Sequence, residues 1–361
     1  MRRLATVRQI ADIRPIEGAD KIVVAQVDGW ECVIQKDEFN IGDKVVYVEV
    51  DSIMPEKPEY EFLRKRKFRV KTIKLRGQIS QGLVLPMSVL PKGRTYELDD
   101  DVTDVLGVKK YDPQAEQEQA LLAAKNKKKH GKLFGFMCRF AWFRKLALGP
   151  KKKGGFPDWI VKTDEERIQN KTIMFEQERG AGTHFSATEK VDGQSGTFFL
   201  RKIGRKKYEF GVCSRNVRLG KPDGSSYWTV ARKYDIEKVL RSLIGDADTI
   251  VLQGEIIGPG IQKNKYERKE YELYAFNLIR QGRKVNTFEM TETLAKYGIM
   301  SVPVVETDMV LKDTIADMVE FAKGNTVLLP GKKREGVVIR NYEKNISFKV
   351  INPEFLLAND E

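Results

Sequence analysis

The chain has 361 residues, enough for two domains with cores of their own. Its formal net charge of +13 points to a polyanionic partner. Three cysteines far apart in sequence and only two histidines exclude a disulfide framework, a cysteine-type zinc site and a histidine-based metal cluster. No uninterrupted apolar run of membrane-spanning length exists, and Met1-Arg2-Arg3-Leu4 opens no apolar leader region. The expectation is a soluble intracellular protein without a membrane partner.

Residues 1–111 read as a first domain. Short apolar runs at 22–27, 30–34, 44–50, 68–75 and 81–86 alternate with turn signals such as Asp28-Gly29 and Gly42-Asp43. Five strands with so little helix predict a small β-barrel. The wording Pro15-Ile16-Glu17-Gly18-Ala19-Asp20-Lys21, Val27-Asp28-Gly29-Trp30 and Gly42-Asp43-Lys44-Val45-Val46-Tyr47 resembles the OB-fold modules of the tRNA-binding type. That resemblance implies nucleic-acid binding across the barrel face. Arg64, Lys65, Arg66, Lys67, Arg69 and Lys71, with Lys74 and Arg76, are the candidates for phosphate contact. The alternative for each is an ordinary solvated strand residue.

A linker, 112–155, joins this domain to the next. Between Gln119 and Pro157 lie eleven lysines and arginines and no acidic residue, so the excess charge is concentrated here. Residues 114–124 have helical composition, and Lys151-Lys152-Lys153-Gly154-Gly155 reads as a basic hinge. Apolar residues at 133, 136, 137, 140, 143 and 147 recur at helical spacing among cations. A helix bracing the two domains, part of an RNA-binding surface and a membrane-surface helix all fit this pattern.

Residues 156–361 form the second domain. Buried-looking strands separated by basic loops, with helices near 227–244 and 287–298, predict an α+β architecture. Its centre is the stretch 188–196, a strand running into Lys190-Val191-Asp192-Gly193 and then into a second strand carrying Phe198-Phe199-Leu200. A free lysine is almost entirely ammonium near neutral pH, whereas a pocket with other cations or a metal lowers its pKa and makes it a nucleophile. A solvated lysine beside a hairpin turn is the plainer reading, since Lys-x-Asp-Gly arises by chance in roughly one chain in ten of this length. The order of the motifs downstream makes the difference: Ser214-Arg215-Asn216, then Gly254-Glu255, the aromatic strand 271–279, Glu335-Gly336 opening an apolar run, and Phe348-Lys349. No G-x-x-x-x-G-K-[S/T] loop is present, which excludes nucleotide binding of the P-loop kind.

That order resembles the covalent nucleotidyltransferase superfamily of polynucleotide ligases and mRNA capping enzymes, over nearly all of 156–355. Within it the chain is most similar to ATP-dependent RNA ligases that seal 3′-OH/5′-phosphate nicks. The OB-like module stands in front, and too few residues come after Lys349 for another. The phrase 156–169, which contains Lys162-Thr163-Asp164-Glu165-Glu166-Arg167, also resembles that group. The implied fold is an N-terminal OB-fold β-barrel plus a C-terminal α+β nucleotidyltransferase domain of ATP-grasp-like ligase form.

The resemblance implies roles as well. Lys190 takes AMP from ATP, and Lys349 neutralises the α-phosphate. Glu189, Arg215, Phe276 and Arg167 bind nucleotide: Phe276 by stacking on adenine, Arg215 at the ribose or the 5′-phosphate, Arg167 at the outer phosphates or RNA. Asp192, Glu255 and Glu335 hold Mg²⁺ or Mn²⁺ mostly through water. Many relatives carry a second lysine two positions after Lys349, where this chain has Ile351; Lys332, Lys333 and Arg340 are the candidates to replace it. The implied partner is RNA, as a nicked duplex, acted on by a monomer. A GTP-using capping-type guanylyltransferase and a non-catalytic RNA-binding protein with a ligase-like domain are the competing readings.

Overall fold

The structure, a computed structural model, describes residues 3–111, 155–220 and 222–359. Nearly all of the basic linker, with the helical patterns read at 114–124 and 133–147, lies outside the described residues.

The N-terminal module is built on a five-stranded antiparallel sheet. Its order is Trp30–Gln35, Ile22–Val27, Ala5–Pro15, Lys44–Val48 and Leu83–Pro86. Successive residues of Lys44–Val48 serve two cores: Val46 and Val48 pack with Leu4, Met54 and Tyr60, while Val45 and Tyr47 pack with Ile10 and Trp30. That is the two-residue period of a strand buried on both faces. The central strand Ala5–Pro15 is not evident from the sequence because Arg8, Asp12 and Arg14 interrupt its apolar alternation. The run 68–75, expected as one strand, is two. Arg69–Val70 pairs with Ser52–Ile53, whereas Ile73–Leu75 pairs with Gln78–Ser80, and one straight strand could not serve both partners.

The C-terminal module has two sheets, antiparallel except where Met300–Ser301 pairs in parallel with Glu272–Arg280 in the second. The first runs Val304–Val310, His184–Glu189, Gly336–Asn341, Ile346–Ile351; the second runs Lys207–Cys213, Gln194–Gly204, Thr249–Ile257, Glu272–Arg280, Arg283–Lys284. Helices Ser226–Lys233, Ile236–Leu243 and Thr287–Ala295 pack on the second sheet through Val230, Leu240 and Leu294 against Phe198, Leu252 and Leu278. The helix expected over 227–244 is interrupted at Asp235, which takes a left-handed conformation (φ 45°) and lets the two halves meet the sheet separately. Thr172–Gly180 and Ile315–Ala322 pack on the first sheet through Phe175 and Met318. The second of these helices begins with a capping box of Thr314 and Asp317.

Phe198 is fully buried at the centre of the largest core. Phe198→Ala is expected to cost about 3–5 kcal/mol in a denaturant titration. A loss below about 1 kcal/mol would show that this core does not hold the domain together.

The two modules meet at a polar joint. Trp30 Nε1 donates to Asn170 Oδ1 at 2.7 Å, and Asn170 in turn donates to the buried Glu49. Asp28 (φ 50°) and Gly29 form the tight turn between Ile22–Val27 and Trp30–Gln35. A Cβ on Gly29 would lie 2.9 Å from Gln169 Cα, so a glycine lets the OB module approach this closely.

Candidate active site

The two C-terminal sheets face each other across a crevice whose lining includes Glu189, Lys190, Glu255, Phe276, Val338 and Lys349. Lys190 leaves the end of His184–Glu189, and its backbone N–H donates to Gly336 O at 2.9 Å. Gly336 opens the neighbouring strand immediately after Glu335. Glu335, far away in sequence, thereby reaches Lys190: Lys190 Nζ donates to its two carboxylate oxygens at 2.6 and 2.7 Å.

Gly336 makes this approach possible. Its φ is +154°, and a Cβ there would stand 2.2 Å from Val350 O. Gly336→Ala is expected to cost about 1–3 kcal/mol of stability and to move Glu335 off Lys190. Thermal melts would report the loss. An unchanged melting temperature would show that the strand pair can relax around the methyl group.

The other two carboxylates close the group. Asp192 forms an ion pair with Lys265, and its backbone N–H donates to Tyr266 Oη at 2.9 Å. Glu255 Oε1 accepts from Gly193 N at 3.0 Å. Burial pushes Glu255 up to about 8 and raises Glu335 as well. Burial by itself would lower Lys190, but Glu335, Glu255 and Asp192 outweigh it and hold Lys190 above its ordinary value. From the sequence, other cations or a metal would lower the pKa of this lysine; the charged groups that act on it here are the three candidate carboxylates, which hold it as an ammonium.

Lys349, on Ile346–Ile351 of the same sheet as Lys190, and Arg215, just after Lys207–Cys213 of the other sheet, converge on Asp164. Lys349 Nζ lies 3.6 Å and Arg215 Nη2 3.3 Å from Asp164 Oδ1. Lys110, from the last strand of the N-terminal module, bonds Asp164 Oδ2. The apolar part of the crevice is made by Phe276, Val302, Val191 and Val338. Beyond Thr163 and Glu165 the inter-sheet space widens into a cavity of about 900 Å³ lined by Lys162, Arg201 and Lys284.

The remaining candidates fall in several places. Glu189 lines the crevice; it is almost fully buried, and its Oε2 accepts from Val327 N at 3.3 Å. Arg167 has its backbone beside Lys349, but its guanidinium is buried at the joint, 3.3 Å from Asp51 Oδ2 and over the Trp30 ring. Arg69 holds the other oxygen of Asp51 at 2.6 Å and stacks on Tyr111. Lys71 is half-buried, while Arg64, Lys65, Arg66 and Lys67 are exposed on a short 3-10 helix and its left-handed cap. Of the three candidates to replace the lysine absent at Ile351, Lys332 and Lys333 pair with Glu267 and Glu354 outside the crevice lining, and Arg340 lines it, donating to Thr188 Oγ1 at 3.0 Å.

Sequence reasoning did not assign roles to Asp164, Lys110, Lys265 or Tyr266. Asp164 sits in the ligase-like phrase 156–169, which was signal enough to single it out; Lys265 and Tyr266 stand in no motif.

The donor set suits a hydrated divalent cation. All three candidate carboxylates offer hard oxygens and outnumber the two lysines paired with them. Among the described residues no group of three or more His, Cys, Asp or Glu is placed to hold a metal ion directly. Among the same residues no helix is long and apolar enough to cross a membrane.

Comparison with known proteins agrees with this geometry. An OB-fold domain model matches residues 4–87, and an RNA ligase model matches residues 183–351. A solved Naegleria gruberi RNA ligase mutant with ATP and Mn is 31% identical, with a TM-score of 0.81 and 100% of both chains covered. The same ligase with PPi is 32% identical at a TM-score of 0.79, covering 99% of this chain and 98% of that one. A mutant with AMP and Mn is 31% identical at 0.79, with 98% of each chain covered. No curated protein matches the chain. With a lysine set among carboxylates in an inter-sheet crevice, an OB-fold module in front, and a relative of this identity aligned over its whole length, the chain belongs to the RNA ligase family.

Proposed function

We propose that this protein joins an RNA 3′-OH to a 5′-phosphate at nicks in duplexes, using ATP and a divalent cation, through lysyl-AMP and RNA-adenylate intermediates. The observation that carries the reading is the crevice itself: one lysine bonded to an acid, with the cations Lys349 and Arg215 and the aromatic Phe276 lining the same space. The N-terminal module is taken as residues 1–111 and the catalytic domain as 156–361, acting as a monomer.

The chemistry follows from the charges. Lys190 Nζ gives up a proton, attacks the α-phosphorus of ATP and forms a P–N bond as the bond to the pyrophosphate oxygen breaks. An oxygen of the RNA 5′-phosphate then attacks the same phosphorus, the P–N bond breaks, and Lys190 recovers a proton. Lastly the RNA 3′-OH attacks the adenylated 5′-phosphorus, and AMP leaves. Each step shifts negative charge onto phosphate oxygens, and Lys349 and Arg215, which line the crevice, would meet it. Phe276 stacks on the adenine, a flat aromatic suited to a flat base. Asp192, Glu255 and Glu335 would hold Mg²⁺ or Mn²⁺ through water, and the ion would neutralise phosphate charge and offset the carboxylates that keep Lys190 protonated. Arg64, Lys65, Arg66 and Lys67 lie exposed for the RNA backbone. Arg69, Lys71 and Arg167 are carried with them as substrate contacts of a weaker kind, since Arg69 and Arg167 are engaged with Asp51.

The test is incubation with α-labelled ATP or GTP and Mg²⁺, followed by a denaturing gel and then by a nicked RNA duplex. AMP on the protein and a sealed product are expected. Label from GTP alone would replace the reading with a capping-type activity. Absence of label from either, with RNA still bound, would leave a non-catalytic binding protein.

A further inference from the structure

The place where nucleotide phosphate is expected already holds an anion of the protein's own. Asp164 offers one carboxylate oxygen to Arg215 and Lys349 and the other to Lys110, and all four side chains are at least two-thirds buried. Its burial raises its pKa, but Lys349, Lys110 and Arg215 outweigh that and hold the carboxyl well below the usual carboxylate range. Three cations from three separated parts of the chain have been drawn onto a single carboxylate. Two of them line the crevice beside Lys190, and the third belongs to the N-terminal module.

We propose that Asp164 is a positioning residue that stands in for a nucleotide phosphate: until nucleotide binds it holds Lys349 and Arg215 in place, and ATP must take both cations from it. This inference rests on the reading that the crevice binds ATP. Asp164 then sets the affinity for nucleotide, because only the fraction of molecules with the cations released is competent to bind. Lys110 works in the opposite sense. By holding the second oxygen it draws the carboxylate toward the N-terminal module and weakens its grip on the phosphate-binding cations. Nucleotide capture and docking of the OB module are coupled through this one side chain.

The two roles have opposite signs, which separates the proposal from a merely structural ion pair. Single-turnover formation of labelled AMP–protein is measured against ATP concentration on the full chain, giving a half-saturating concentration and a maximal rate. Asp164→Asn is expected to lower the half-saturating ATP concentration by roughly 3- to 10-fold, in the range that losing one competing charge contributes near a protein surface. Lys110→Met is expected to raise it by about 3-fold, by leaving Asp164 wholly to Lys349 and Arg215. Asp164→Glu, which keeps the charge, is expected to stay within about 2-fold of the wild type.

A rise or no change for Asp164→Asn overturns the proposal, as does a shift of both variants in the same direction. Should Asp164→Asn fail to fold, Asp164→Ser and Lys110→Met carry the same two signs and decide the matter in the same way. A wild type that takes no label from ATP overturns the nucleotide reading itself, an outcome distinct from labelled wild type with unshifted variants.

Discussion

Lys190→Ala is expected to take no AMP from ATP at all, while a nicked duplex supplied with a chemically adenylated 5′ end is still joined. The nitrogen that would carry AMP is gone; of the other lysines near the acidic group, Lys265 is committed to Asp192 and lies over the Phe355 ring, and Lys349 is held by Asp164. Loss of a covalent nucleophile removes the first step outright rather than slowing it. The last step needs only the 3′-OH, the activated phosphate and the surrounding cations, so it survives to the extent that the crevice keeps its shape. Removing the ammonium takes that partner from Glu335, whose pKa burial already raises, and a melting curve reports whether the variant folds. The measurement is a denaturing gel with α-labelled ATP beside a sealing assay on the pre-adenylated substrate. Persistent labelling would assign the nucleophile to another residue, and failure of both assays with an intact melting curve would give Lys190 a role in every step.

Lys349→Met should reduce the rate of self-adenylylation by about 10²–10³-fold, the usual cost of removing one preorganised charge stabiliser from a transition state. Lys349 stands on Ile346–Ile351, opposite Val338 of the neighbouring strand, with its side chain largely buried and its Nζ 3.6 Å from Asp164. Methionine keeps the length and the apolar stem, so strand pairing and the Phe348 core are preserved. Single-turnover rates at saturating ATP would isolate the chemical effect from binding. A loss smaller than about tenfold would mean that Lys349 does not meet the developing charge and that Arg215 or Arg340 does.

Much of the site is legible in the sequence because its residues are announced by local signals. Lys190, Asp192 and Gly193 form one turn between strands, and Glu255 and Glu335 each adjoin a glycine at a strand, where close backbone approach excludes a side chain. Phe276 stands in an aromatic strand and Lys349 in a short apolar one. Arg167 and Arg69 are equally visible as cations, but nothing local tells a cation meant for phosphate from one committed to an aspartate elsewhere in the fold. Asp51, which holds both, stands in no motif. The first strand is hidden for the opposite reason: its charged residues obscure a segment that pairs on both edges with apolar neighbours.

Read alone, the chain reveals two modules, candidate chemistry in the second arranged in the order of a ligase, and a net charge suited to a polyanion. Those features are written in alternation, turn residues and composition, which act over a few positions. It takes tertiary packing to close Glu335 on Lys190, to set Lys265 against Asp192, and to bring a lysine of the first module to an aspartate of the second. These pairs bridge from 54 to 145 residues, and each exists because sheet register or the joint between modules brings two chain segments together. Register is fixed by which faces can be buried across a whole sheet, a collective property that no short stretch of sequence carries.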